Sequence, residues 1–379
     1  MLLISPKKER LQTLASEVAR GFRSRAAHAD AQAALPAEDV QALRDSGLLT
    51  LPVPKRYGGA EASLGDCVQV MLKLAQGSTA SALVATMPLH ILGHAREAPA
   101  WADALPLLAE LSMSGAVINT VASEPELGSP SRGGLAATML KKSATGYVLS
   151  GHKTWATGGE HLTQLLVQAS FEGESVRVLV PNHLPGIRWD KVWGKGLSLR
   201  ASDSHDVYFD DVALAEDVFI QPSNSGHPKH PNAWFTLLVA AVYLGTALAA
   251  RDSAIAYAQQ RVPTALGKPI ASLAKVQRQL GEIDVALQAA QSLLLDVAHA
   301  WQGNAEDMAR VISAKHFAIE TALQVTDNTL RLAGGASLSK DLPLERHFRD
   351  VRAGLMHPPS GDAALELVGQ AALKRPSNL

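Results

Sequence analysis

The order of two kinds of sequence pattern is the strongest constraint on the fold of this chain. Residues 6 to about 113, and residues from 233 onward, carry apolar positions at three- to four-residue spacing, as amphipathic helices do. Between them, short β-branched or alternating runs bounded by Gly, Ser, Asn or Pro predict strands. Helices, then strands, then helices favour an α+β fold. We expect a helical domain at 1–114, a β domain at 115–220 and a helical bundle at 221–379.

Composition limits the functional classes. The chain has 379 residues, of which 47% are hydrophobic and 19% are charged, a balance typical of soluble globular proteins. Its formal net charge of -1 provides no overall field for nucleic acid or an anionic membrane. The single cysteine, Cys67, excludes an intrachain disulfide framework and a Cys-rich metal site. The start of the chain has too short an apolar run for a secretory signal, so we expect a cytoplasmic protein.

Two further patterns have ordinary structural explanations. Residues 233–250 are uncharged and long enough to suggest a membrane span, but they are rich in Ala with Thr and Gly inside. We therefore expect a buried central helix and no membrane partner. His90 and His94 share a helix face at i, i+4 spacing, which suits a metal. The sequence identifies no complete set of ligands around this pair, so no metal is predicted.

Several short motifs gain meaning from their order. They are "VPKRYGGAEAS" at 53–63, "SEPELGS" at 123–129, "YVLSGHKTWAT" at 147–157, "RLAGG" at 331–335 and "PLERHFRDVR" at 343–352. Each alone is explained by a turn, a core tryptophan or a solvated run of charges. Together, and in a helix–β–helix setting, they resemble the acyl-CoA dehydrogenase superfamily of flavoproteins. The resemblance covers nearly the whole chain.

The resemblance implies a helical N-terminal domain, a β-barrel-like middle domain and a C-terminal four-helix bundle, with a flavin between the last two. Ser123, Trp155 and Thr157 would bear on the isoalloxazine, with the Thr157 hydroxyl near the hydride-carrying N5. Ser129 would lie beside the substrate. The remaining implied cofactor contacts are Arg261 at the pyrophosphate and Arg331, Gly334 and Gly335 across a subunit interface. A homo-oligomer, either a dimer or a tetramer, is also implied.

The sequence departs from this family at the catalytic base. Acyl-CoA dehydrogenases remove an α-proton with a glutamate, and counting from Arg349 and Asp350 places that position on Pro358. Some members carry the glutamate on the first long C-terminal helix instead, and that position falls at or near Phe235. Neither residue accepts a proton. A shift in pairing would move the position to Asp362.

One branch of the superfamily keeps the fold without this glutamate. These two-component flavin monooxygenases, such as dibenzothiophene monooxygenase, take reduced flavin from a separate reductase and react it with oxygen. His357 stands where some members carry a histidine, and it would donate a hydrogen bond or a proton to the oxygen intermediate. His90 is a possible second donor. The structural alternatives are a turn residue at His357 and a buried helix residue at His90.

The sequence therefore favours a reduced-flavin monooxygenase acting on a small organic substrate. The alternatives are an acyl-CoA dehydrogenase with a relocated base, served by electron-transfer flavoprotein, and a non-catalytic flavin-binding relative. After Arg261 the family pattern is lengthened by two residues, with Leu266 in place of Phe and Ala274 in place of Gln. Those positions serve the adenine half of FAD, so FMN supplied in reduced form stays open beside FAD.

Overall fold

The computed structural model describes residues 6–126, 134–223 and 232–374. Within these ranges the chain forms helices, then a sheet, then helices, and the α+β architecture is confirmed. The N-terminal helices are α1 (Pro6–Gln32), α2 (Ala37–Asp45), α3 (Leu64–Ala75), α4 (Thr79–Glu97) and α5 (Leu105–Met113). Side chains fix two of the starts: Ser63 and Asp66 form a capping box at α3, and the Ser78 hydroxyl accepts from Ser81 N–H at α4.

The middle of the chain is a mixed sheet. Its strands are β1 (Ile118–Val121), β2 (Met139–Ser143), β3 (Gly146–Ala156), β4 (Gln164–Phe171), β5 (Glu174–Pro181), β6 (Ile187–Asp190), β7 (His205–Ala215) and β8 (Ile220–Pro222). The order is β6-β7-β3-β2-β4-β5-β8, with β1 added parallel to β4. The long antiparallel pair of β3 and β7 runs from Gly146 opposite Ala215 to Ala156 opposite His205. The end of β3 therefore lies beside the start of β7.

The C-terminal part is a helical bundle. It consists of α6 (Ala233–Gln260), α7 (Ala274–Ala300), α8 (Met308–Ala333), α9 (Leu344–Asp350) and α10 (Gly361–Leu373). Helix α6 is the central element, since it packs on α3, α4, α7 and α8. Gly245 allows the close approach of α6 to α3, because a Cβ there would lie 2.6 Å from the Leu72 carbonyl oxygen.

Helix α6 is long and apolar enough to cross a membrane, with a mean hydropathy of 1.8 over its most apolar window. Within this fold, however, 94% of that window is buried inside the protein. Its apolar residues contact other helices all round, which is the pattern of a core helix. The prediction of a buried central helix is confirmed.

A loop of the sheet is tied to the bundle by specific hydrogen bonds. The Ser198 hydroxyl donates to the Arg349 carbonyl at 2.5 Å, and Leu199 N–H donates to the Asp350 carboxylate at 2.7 Å. Burial raises the pKa of Asp350 to about 6, while the bond from Leu199 acts in the other direction. The segment that leads to His357 is therefore anchored to the sheet as well as to its own bundle.

Candidate active site

The end of strand β3 presents an aromatic surface. The pairing of β3 with β7 shifts register between Lys153 and Ala156, and this irregularity contains Trp155 in the left-handed backbone region, at φ 58°. The Trp155 side chain is 58% exposed, which is unusual for an indole. Strain at a non-glycine residue together with an exposed large aromatic indicates a surface built to receive a ligand.

Beside it, Thr157 ends a short chain of hydroxyls. The Thr157 and Ser204 oxygens are 2.9 Å apart, and the Ser204 and Ser202 oxygens are 2.8 Å apart. Three hydroxyls joined by two bonds leave one proton over. Ser202 is fully buried, so its proton is best directed inward along the chain, which leaves the Thr157 hydroxyl free to donate outward. The Asn119 amide fixes this corner by donating to the Thr157 carbonyl at 2.9 Å.

A buried ion pair stabilises the same end of strand β3. Lys153 Nζ lies 2.6 Å from Glu124 Oε1, and the two residues are 0% and 3% exposed. Burial acts to raise the pKa of Glu124, but hydrogen bonds from Lys153 and from backbone N–H groups hold that pKa below its ordinary value. The adjacent Ser123 carbonyl accepts from Thr154 N–H at 2.9 Å. Ser129, the predicted substrate-side serine, lies outside the described residues.

The first histidine of the site lies on α4 and contacts the start of α6. His90 is 8% exposed, and its Nδ1 is 3.2 Å from the Asn232 side-chain nitrogen. Its ring packs edge-on against Phe235 at a centroid distance of 5.1 Å. Burial, and then the neighbouring His94, lower the pKa of His90 to about 3, so the ring is neutral at ordinary pH.

The second histidine contacts the same phenyl ring, although it lies far from His90 in the sequence. His357 lies in the turn between α9 and α10, with its ring centroid 5.9 Å from that of Phe235. Its Nδ1 is 3.0 Å from the Tyr243 hydroxyl and 3.2 Å from the Ala353 carbonyl oxygen. Burial and the nearby Lys315 ammonium lower the pKa of His357 to about 4.

Lys315 fixes the turn that carries His357. From α8 its ammonium donates to the carbonyls of His357 at 2.7 Å and of Pro359 at 2.6 Å. The residue is 3% exposed, and burial lowers the pKa of Lys315 to about 8. The turn is therefore held by two charge-assisted hydrogen bonds.

Phe235 and Pro358 are the residues predicted at or near the two places where the family keeps its glutamate. In the described part of the chain, no carboxylate forms a hydrogen bond or ion pair with His90, Phe235 or His357. Asp362 is exposed in the first turn of α10. The arrangement provides two neutral imidazoles around an aromatic ring and provides no carboxylate base.

Helix α4 connects the strand end to the histidines. A Cβ built on Gly158 would lie 3.6 Å from Val84 Cγ1, so the residue after Thr157 packs on α4. His90 follows six residues later, a distance of about 9 Å along a helix. Helix α4 thus links the residue after Thr157 to His90, and the Phe235 ring links His90 to His357.

Comparison with known proteins places this arrangement in a family. The chain matches the family models for acyl-CoA dehydrogenase N-terminal, middle and C-terminal domains at residues 5–97, 119–212 and 237–359. YdbM of Bacillus subtilis (strain 168), which is provisionally named an acyl-CoA dehydrogenase, is 33% identical over 363 residues. That match covers 94% of this chain and 95% of YdbM. The chain belongs to the acyl-CoA dehydrogenase family.

Solved structures of this family differ in their reported ligands and names. KijD3 in complex with FMN and a dTDP-linked amino-keto sugar is 26% identical, with a TM-score of 0.81 and coverage of 99% of this chain and 96% of KijD3. Butyryl-CoA dehydrogenase from Megasphaera elsdenii shares the fold with a TM-score of 0.86 at 21% identity, covering 99% and 100%. As a member of this family, the protein is a flavin-dependent oxidoreductase.

The described residues fit a flavin on chemical grounds. The isoalloxazine is flat and largely apolar, with nitrogen and oxygen atoms at its edge. The end of β3 offers an exposed indole and, two residues later, a Thr157 hydroxyl whose proton is not used within the hydroxyl chain. When bound, the flavin supplies two-electron redox chemistry that no side chain here can supply. Trp155 and Thr157 would hold it.

Four other predicted cofactor contacts of this acyl-CoA dehydrogenase family member lie at the far end of the bundle. Arg261 follows the last residue of α6, a helix of 28 residues and therefore about 42 Å long. Arg331 is exposed and paired with Asp327 in the last turn of α8, which Gly334 and Gly335 follow. A Cβ on either glycine would meet open space. Within one chain they do not approach the histidines, and their predicted role across a subunit interface stays a prediction.

The structure adds site residues that the motifs did not indicate. Asn119, Ser204, Asn232, Tyr243 and Lys315 all contact a predicted site residue through a polar atom. In the sequence only Asn232 carried a signal, as an N-cap residue type before a helical run. Tyr243 and Lys315 lie inside helices whose sequence pattern predicts only packing in the core.

Proposed function

We propose that the protein is a monooxygenase that uses reduced flavin and molecular oxygen to oxygenate a small organic substrate. One observation carries the proposal. At both positions where a dehydrogenase would place its glutamate, this chain has a non-ionisable residue, Phe235 or Pro358, and the phenyl ring is flanked by two neutral histidines. Removal of an α-proton needs a positioned base, whereas transfer of an oxygen atom does not.

Reduced flavin would supply the two electrons that activate oxygen. In the overall reaction one oxygen atom would enter the substrate and the other would leave as water, with reduced flavin as the two-electron donor. In this scheme Trp155 and Thr157 hold the flavin edge, and Phe235 supplies an apolar wall that limits water. His90 and His357 donate hydrogen bonds at the oxygen that reacts.

The remaining expectations follow from this chemistry. A separate flavin reductase would provide the reduced cofactor in the cytoplasm, and the departures after Arg261 leave FMN open beside FAD. A homo-oligomer would bring Arg331, Gly334 and Gly335 toward a neighbouring subunit's cofactor. Ser123 would support the flavin edge, and Ser129 would lie on the substrate side.

The first experiment needs no knowledge of the substrate. Photoreduced FMN or FAD, bound to the protein, is mixed with oxygen, and the return of oxidised-flavin absorbance and the yield of hydrogen peroxide are followed. We expect the wild-type protein to delay reoxidation relative to free flavin, and His357→Ala to abolish most of that delay. His28→Ala, at an exposed histidine of α1, is the matched control. Reoxidation by the wild-type protein at the rate of free flavin would refute the proposal.

The second candidate is an acyl-CoA dehydrogenase that uses another base and passes electrons to electron-transfer flavoprotein. The 33% identity to YdbM, which carries an acyl-CoA dehydrogenase name, favours it. The flavin-loaded protein is mixed with butyryl-, isovaleryl- and octanoyl-CoA without oxygen. Bleaching of the flavin by any of them would support this candidate and contradict the monooxygenase proposal.

A further inference from the structure

The protonation of His90 can be deduced from its partner. Asn232 is the N-cap of α6, and its side-chain oxygen accepts from Phe235 N–H at 2.9 Å. That bond fixes the orientation of the amide, so the group facing His90 Nδ1 at 3.2 Å is the NH₂. Because an amide NH₂ only donates, Nδ1 of His90 must accept. The ring proton therefore sits on Nε2.

For His357, two neighbours compete for Nδ1. The Ala353 carbonyl at 3.2 Å would accept a proton from it, but that carbonyl already accepts from Met356 N–H at 3.0 Å. The Tyr243 hydroxyl at 3.0 Å is fully buried, and among the described residues Nδ1 is its one hydrogen-bond acceptor. Orphaning a buried hydroxyl proton is the more costly outcome. Tyr243 therefore donates to Nδ1, and the proton of His357 also sits on Nε2.

The two histidines then present the same group. Within the described ranges neither Nε2 has a protein partner, and both rings border Phe235. Both imidazoles are neutral, since burial lowers the pKa of His90 to about 3 and of His357 to about 4. Burial also keeps the Tyr243 proton in place by raising the pKa of that phenol well above its ordinary value. Neither ring offers a basic nitrogen to the open side.

We propose that Asn232 and Tyr243 are positioning residues that fix His90 and His357 as neutral Nε2–H donors toward oxygen atoms of the reactants. The identity of those oxygen atoms rests on the proposed monooxygenase function, but the tautomers do not. A site with two donors binds a group that carries lone pairs, and it does not remove a proton from carbon.

Carbethoxylation by diethyl pyrocarbonate tests the tautomer of His357, because the reagent attacks an unprotonated ring nitrogen. Tyr243→Phe removes the hydroxyl, so Nδ1–H turns to the Ala353 carbonyl and Nε2 becomes bare. We expect His357 to react at least about tenfold faster in Tyr243→Phe. This factor corresponds to the free-energy cost of leaving one buried hydrogen-bonding group without a partner. Tyr257→Phe, on the same helix, is the matched control, and exposed His28 is the internal reference.

Long-range ¹H–¹⁵N spectra of the ¹⁵N-histidine-labelled protein give a second measurement that does not depend on access. In the wild-type protein both rings should show a protonated Nε2. His357 should change to a protonated Nδ1 in Tyr243→Phe, and His90 should lose its bare Nδ1 in Asn232→Asp, which keeps the helix cap. A wild-type His357 with a protonated Nδ1, or equal carbethoxylation in both proteins, would overturn the proposal. Since neither measurement needs turnover, these outcomes are distinct from a failure of the monooxygenase assay.

Discussion

Lys153 provides the sharpest test of how the end of strand β3, the proposed flavin contact, is held. Its ammonium is completely buried and meets Glu124 at 2.6 Å, while the same carboxylate accepts from Ala137 N–H at 2.7 Å and Thr138 N–H at 2.9 Å. Lys153→Met keeps the length of the side chain and removes the charge. It leaves a buried carboxylate with two backbone donors and no counter-ion, which costs about 3–5 kcal/mol.

The double variant separates charge from packing. In Lys153→Met with Glu124→Gln no charge stays buried, but the new amide NH₂ faces one of the two backbone donors and leaves it unpaired. We expect a loss of about 1–3 kcal/mol, which is smaller than the loss for the single variant. The exposed Lys141 on β2 supplies the control Lys141→Met, with a change of roughly 0.5 kcal/mol or less.

Thermal unfolding at pH 7, followed by circular dichroism, measures these differences. Unfolding 379 residues as one unit has an entropy of about 0.8 kcal/mol/K, so 3–5 kcal/mol corresponds to a fall in Tm of about 4–6 °C. Because Lys153 lies two residues before Trp155, the affinity for flavin should fall as well. A Tm equal to that of Lys141→Met, or a double variant no more stable than the single one, would show that the pair is not coupled as argued.

Three further predictions concern pH, the turn and the flavin. Burial lowers the pKa of His347 to about 3, so its contribution to stability is present above pH 6.5 and is lost as the pH falls below that value. In urea titrations the free energy of unfolding should decline between pH 6.5 and 4, and His347→Gln should remove about 3 kcal/mol of that decline. Lys315→Met removes two hydrogen bonds to the His357 turn but leaves no buried charge, so differential scanning calorimetry should show a smaller fall in Tm than for Lys153→Met. The delay in flavin reoxidation should also disappear, and an unchanged delay would count against a role of the turn. Thr157→Val removes the free hydroxyl and should weaken flavin binding about tenfold in fluorescence titrations, whereas Thr157→Ser should restore it, and equal affinities in the two variants would exclude a bond from this hydroxyl.

Much of the fold follows from local patterns. The helical spacing on either side of a β-branched middle segment predicts the order of the elements, and the apolar run at 233–250 becomes the buried part of α6. These features are readable because burial imposes a period of 3.6 on helices and of 2 on strands. Motif order is what connects the chain to acyl-CoA dehydrogenases, and the family comparison confirms it.

The contacts around the histidines are not local in this sense. His90, Phe235, Tyr243, Lys315 and His357 come from four helices or turns that are separated by up to 267 positions in the numbering, and no spacing rule relates them. Nor does the sequence indicate that Thr157 belongs to a chain of hydroxyls with Ser204 and Ser202.

The sequence alone determined the order of the elements, the family resemblance and the loss of a glutamate at both expected places, since each depends on residue identity along the chain. Only the tertiary structure decided which group occupies that place. It brings His90 and His357 against one phenyl ring and supplies each with a neutral donor, Asn232 or Tyr243. The physical reason is that a histidine's tautomer and pKa are set by burial and by the atoms that touch it, and these are properties of packing in three dimensions.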